Sequence, residues 1–146
     1  MLTELAVATF MVLLTLAFHG AGLLGLGHLL ALRDRRSHQA RISPLSIEGA
    51  LVATSVALGL LTLHGLEIWA YAALYHSLGA VGSLRDAVYF STITYASIGF
   101  SDSVIDQQWR LLGAIEGING ALLLGWTVAF FVTVMTRFMP SARPDH

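Results

Sequence analysis

The chain has 146 residues, 55% of them hydrophobic and 12% charged, with a formal net charge of −1 and a mean hydropathy of +0.71. A soluble domain carries about 25% charged residues, so this chain lacks the polar surface to stay dispersed in water and belongs in a bilayer. Its near-neutral charge excludes the basic footprint of a nucleic-acid binder, and the absence of cysteine excludes disulfides and thiolate metal sites.

The first apolar run covers 5–32. A secretory signal opens on a basic leader and stops after a short apolar run. Here the early charge is Glu4 and the run continues to Leu32, so it reads as a membrane span. Crossing a hydrocarbon core of ~30 Å takes about 20 apolar residues, and 47–75 and 109–138 also qualify. The chain therefore divides into an N-terminal span (1–33), a basic loop (34–44), a two-span region (45–138) and a tail (139–146) containing Pro140 and Pro144.

Arg33, Arg35, Arg36 and Arg41 precede the second span, and Arg137 and Arg143 follow the third. Basic residues collect on the cytoplasmic side, which puts the N-terminus outside and the C-terminus inside. Arg85 and Arg110 fall on the outer side, each near an acid, Asp86 or Asp106. Trp69, Tyr71, Tyr75 and Trp109 suit an outer interfacial belt. Arginine without lysine, amid many Ala, Leu and Gly, fits a bacterial gene of high GC content and the cell membrane.

Between spans two and three stands Ala-Val-Tyr-Phe-Ser-Thr-Ile-Thr-Tyr-Ala-Ser-Ile-Gly-Phe-Ser-Asp, residues 87–102. A short amphipathic helix over 86–94 runs directly into Ser97-Ile98-Gly99-Phe100-Ser101-Asp102. This stretch resembles the pore helix and selectivity filter of the potassium-channel superfamily, whose filter reads Thr-Val/Ile-Gly-Tyr/Phe-Gly-Asp. The resemblance covers about 45–138 and leaves the first span outside it. It implies an all-α integral membrane fold with three transmembrane helices, a re-entrant pore helix and a filter loop. Backbone carbonyls there replace the hydration shell of a conducted cation.

Carried over by position, Ser97, Ile98, Gly99, Phe100 and Ser101 form the filter, and the Ser97 hydroxyl makes the innermost cation site. Asp102 supplies a carboxylate at the outer mouth, Tyr89 and Phe90 buttress the filter, and Thr94 sits on the last turn of the pore helix. One chain supplies one filter strand, so the resemblance implies a homotetramer in the lipid bilayer, passing monovalent cations with K+ as the implied ion. The expected cofactor is none. Ser101 replaces the second filter glycine, and a left-handed backbone there costs a non-glycine residue roughly 1–2 kcal/mol. Weakened K+ selectivity is the expected consequence. The competing readings are a nonselective cation channel, a haem-bearing electron carrier and a non-conducting relative.

Ionisable residues inside spans are functional candidates. Glu116 either lines the cation path or braces the back of the pore helix, and alignment on Gly120 favours the brace. Gly120 and Gly125 fit an inner-helix hinge or a tight crossing. With Gly113 and Gly117 they form a small-residue series expected to bring the inner and outer helices close. Two histidines from different helices can ligate haem. His19 and His28, however, fall on opposite faces of one helix, and single packing is the better account of them and of His64. Glu67, one turn after His64, is placed to pair with it. Nothing resembles an enzyme site, since no metal-ligand cluster, nucleophile elbow or phosphate loop is present.

Overall fold

A computed structural model describes residues 1–36, 46–99 and 103–136. Among these, four α-helices follow in order: α1 (Leu2–Arg36), α2 (Ile47–Ser77), α3 (Leu84–Tyr95) and α4 (Arg110–Thr136), with a 3-10 turn Gln107–Trp109 leading into α4. α1, α2 and α4 are each long and apolar enough to cross a bilayer. α1 is longer than its expected span at both ends, absorbing Glu4 and running past residue 33 to Arg36. At 1.5 Å per residue its 35 residues extend about 52 Å, more than the hydrocarbon thickness.

Local chemistry sets the boundaries. Ser46 caps α2, its hydroxyl accepting the Gly49 N–H at 3.0 Å. Ser83 caps α3 by accepting the Asp86 N–H and returns its own proton to the Asp86 carboxylate at 2.7 Å. α2 ends in a Schellman turn: Gly79 takes φ +65°, its N–H bonds the His76 carbonyl, and the Ala80 N–H bonds that of Tyr75. The connection back to α4 is tied by the Asp106 N–H on the Ala80 carbonyl, and Asp106 caps the 3-10 turn.

α3 lies between α2 and α4, and α1 packs against α4 and α2. Two apolar clusters result. One gathers Met11, Tyr71, Tyr75, Phe90, Trp109 and Leu112 near the α2–α3 turn. The other gathers Leu23, Val52, Val56, Leu60, Leu63 and Val134 at the opposite end. The expected aromatic belt is only partly found. Trp69 is half-exposed, but Tyr71 and Tyr75 are fully buried because their hydroxyls serve partners inside the bundle.

α1 is bound to the rest by polar as well as apolar contacts. Buried Glu4 accepts the N–H groups of Leu111 and Leu112 through one oxygen, at 2.8 and 3.2 Å. It thus caps the positive end of a helix more than a hundred residues away in sequence. Further along, the Asn119 side-chain amide donates to the Thr15 hydroxyl at 2.8 Å. Losing a cap costs about 0.5–2 kcal/mol. Glu4→Ala is therefore expected to lower the thermal midpoint in detergent by a few degrees, with Glu4→Gln intermediate, as followed by tryptophan fluorescence.

Candidate functional site

The glycine series on α4 determines where α3 can sit. A Cβ on Gly113 would stand 3.1 Å from the Phe90 ring, and one on Gly117 3.4 Å from the Thr94 carbonyl oxygen. On Gly120 it would collide with the Tyr95 carbonyl. These glycines admit the pore helix α3, not the outer helix α2 as expected from sequence. The tightest approach falls at the end of α3, where the backbone carbonyls of Thr94 and Tyr95 face Gly117 and Gly120. Gly125 meets nothing within 4 Å and makes no tight crossing in this chain.

α3 ends in a second Schellman turn. The Ser97 N–H bonds the Thr94 carbonyl and the Ile98 N–H bonds that of Ile93, both at 2.8 Å. The residue that must be left-handed here is Ser97, at φ +57°, and Gly99 follows at φ +52°. Such a φ is a genuine outlier for a β-branched residue, so serine fits where threonine would be strained. The Ser97 hydroxyl donates to the Gly117 carbonyl at 3.2 Å. Ser97, Ile98 and Gly99 are exposed. Phe100, Ser101 and Asp102 lie outside the described residues.

Behind this segment Glu116 is fully buried, and both its oxygens are used. Tyr75 from α2 and Ser91 from α3 each donate a hydroxyl to it at 2.5 Å. Ser91 Oγ also lies 3.0 Å from the Ile68 carbonyl oxygen, holding α3 against α2. Glu116 thus links α4 to both α2 and α3. Phe90 is buried edge-on against Tyr75, whereas Tyr89 is exposed in the single chain. Thr94 stands one residue before the end of α3, as expected.

A polar layer missed at the sequence level lies between the two apolar clusters. His19 Nδ1 meets one Glu67 oxygen at 3.0 Å, and Tyr95 donates its hydroxyl to the other. Tyr95 Oη also meets His64 Nδ1 at 2.8 Å, and His64 Nε2 meets Thr127 Oγ at 2.8 Å. Thr127 Oγ closes the ring on His19 Nε2 at 3.1 Å. One ring of five contacts therefore joins all four helices. The histidines do not pack singly: their rings lie 5.2 Å apart. Glu67 bonds His19 and Tyr95 more closely than it approaches His64, at 3.5 Å. His28 is exposed, on the face opposite His19.

A family model described as ion channel matches residues 61–137, from the middle of α2 through α4 and more than half of the chain. The chain belongs to the ion-channel family. The matched region holds α3 and the segment after it and is a potassium-channel-like pore domain, with α1 outside the match. No curated protein and no solved structure matches the chain.

Two substitutions test the docking of α3. Gly120→Ala should displace the end of α3 and abolish conduction, whereas Gly125→Ala should be tolerated; liposome ion flux separates the two. Glu116→Gln should keep assembly and alter conduction, because an amide still receives one of the two hydroxyl donors. Glu116→Leu leaves the buried Tyr75 hydroxyl without its acceptor, a loss of about 1–3 kcal/mol, and Ser91 with the Ile68 carbonyl alone. Its oligomer should dissociate at lower temperature in a gel-filtration series.

Proposed function

We propose that the chain is one subunit of a homotetrameric cation channel that passes K+ passively through a backbone-carbonyl filter formed by residues 97–101. The reading rests on the exposure of the filter-like segment. Ile98 is 54% exposed, and a cleft of about 570 Å³ beside the segment is lined by Thr94, Ser97, Gly99, Gly117, Ile118 and Ala121. Irregular backbone at membrane depth is tolerated only where protein covers it or water fills a cavity. Further copies of the chain provide both, and cyclic symmetry closes the arrangement. Four copies follow from the resemblance of 87–102 to the potassium-channel filter.

The local chemistry supports a cation as the occupant. The C-terminal end of α3 carries partial negative charge and leads directly into residues 97–99. Because Ser97 donates its proton to Gly117, the lone pairs of its oxygen are left to face an ion. In this reading Asp102 contributes a carboxylate ring at the mouth, and Ser101 weakens the outer cation sites. Spans two and three are oriented with the filter outside and the arginine-rich loop and C-terminus in the cytoplasm of a bacterial cell.

Mass measurement in nanodiscs is expected to give four chains per particle, and a stable monomer or dimer would remove the model. Bi-ionic K+/Na+ reversal potentials then address selectivity. The native channel should prefer K+ only modestly, and Ser101→Gly should sharpen that preference. A native preference that is already strong and unchanged in the glycine variant would overturn the role given to Ser101. Equal permeability in both proteins would favour a nonselective channel.

A further inference from the structure

The pore reading leaves the His19–His64–Glu67 cluster without a task. All three side chains are buried, at 0%, 7% and 1% exposure, and one ligand atom from each lies within 4.8 Å of the others. We propose that His19, His64, Glu67 and Tyr95 form a binding site for a divalent transition-metal ion of the zinc class, with Thr127 orienting both imidazoles.

The orientation of the rings carries the argument. Both Nε2 atoms point at one atom, Thr127 Oγ, from 2.8 and 3.1 Å. A hydroxyl oxygen has two lone pairs and can accept from both Nε2–H groups. With the protons there, both Nδ1 lone pairs turn towards Glu67, His19 at 3.0 Å from Oε1 and His64 at 3.5 Å from Oε2. In that tautomer two lone pairs face a carboxylate, an arrangement that a cation among the three groups stabilises. A distal ring nitrogen held by a hydrogen-bond partner is the arrangement that fixes the tautomer of a metal-bound histidine.

The spacing and the donor types agree with that assignment. Bonds of 2.0–2.2 Å in a tetrahedral zinc site place donor atoms about 3.3 Å apart. The two Nδ1–carboxylate separations of 3.0 and 3.5 Å bracket this value. Tyr95 Oη, 2.8 Å from His64 Nδ1 and bonded to Glu67, supplies the fourth donor atom. Two imidazoles with carboxylate and phenol oxygens suit zinc better than the hard alkaline-earth ions, which prefer all-oxygen shells. A cleft of about 320 Å³ between α2 and α4 reaches His64 and Thr127 and is otherwise lined by apolar residues such as Leu60, Leu124 and Phe131. A bound ion would join α1, α2 and α3 at the residue that ends the pore helix.

The test uses the full chain in nanodiscs, stripped with a chelator, titrated with Co2+ and then with Zn2+. Expected are the visible bands of a four-coordinate Co2+ centre, displaced by Zn2+. Elemental analysis should give one metal per chain, and the metal should raise the thermal midpoint. His19→Gln, His64→Gln and Glu67→Gln should each weaken binding at least tenfold, and Thr127→Val by about 10–100-fold. A His28→Gln/His76→Gln double variant, altering exposed histidines, should bind as the native protein does. Substoichiometric metal on the native protein would overturn the proposal, leaving a ring held by protons alone. So would binding that disappears in the His28→Gln/His76→Gln protein. Stoichiometry and spectrum of the native protein decide even if the ring variants fail to fold.

Discussion

Hydrocarbon offers no hydrogen-bond partner, so a polar side chain inside a bilayer must find one on another helix or bear a cost of several kcal/mol. That constraint organises this molecule. Glu4, Thr15, His19, His64, Glu67, Ser91, Glu116 and Asn119 are all buried, and each bonds to a different helix or to its own backbone. Apolar contact alone distinguishes poorly between one helix face and another when the solvent is equally apolar. The polar pairs therefore decide which faces meet, and the apolar clusters fill in around them.

The short helix α3 benefits most. It has twelve residues and does not span a membrane, so tertiary contacts must hold it at depth. Three attachments do so on different sides. Its back is fastened through Ser91 to Glu116 and Ile68, and its tip through the Tyr95 hydroxyl to Glu67 and His64. Its last carbonyls seat on Gly117 and Gly120 of α4. A filter-like segment that begins two residues beyond Tyr95 thus starts from a position determined by the whole bundle. The proposed carbonyl-lined path needs such rigidity, because small shifts alter the distances between its oxygens and a cation.

α1 lies outside the family match yet shares in every part of this arrangement. It caps α4 through Glu4, meets Asn119 through Thr15 and completes the five-membered ring through His19. Its apolar packing is close as well: a Cβ on Gly22 would fall 2.7 Å from Leu63, and one on Gly59 2.8 Å from Leu26. An accessory span free to diffuse away would leave Glu67 without its His19 contact and α4 without its cap. The first helix is thereby a structural part of the pore unit.

By itself the sequence determined what depends on composition and local order. Long apolar runs gave three spanning helices because length and hydropathy alone satisfy the membrane. The short helix between spans two and three was legible because its residues, 84–95, are contiguous. Only the tertiary structure decided which faces meet. Periodicity within α4 shows a glycine stripe but cannot say that α3, not α2, lies against it. The burial of Tyr71 and Tyr75 depends on Asn119 and Glu116 more than forty residues away. The meeting of His19 with His64 and Glu67 spans 45 and 48 residues. Neither leaves a local signal, because it is the crossing of separate helices that brings such atoms within 3 Å.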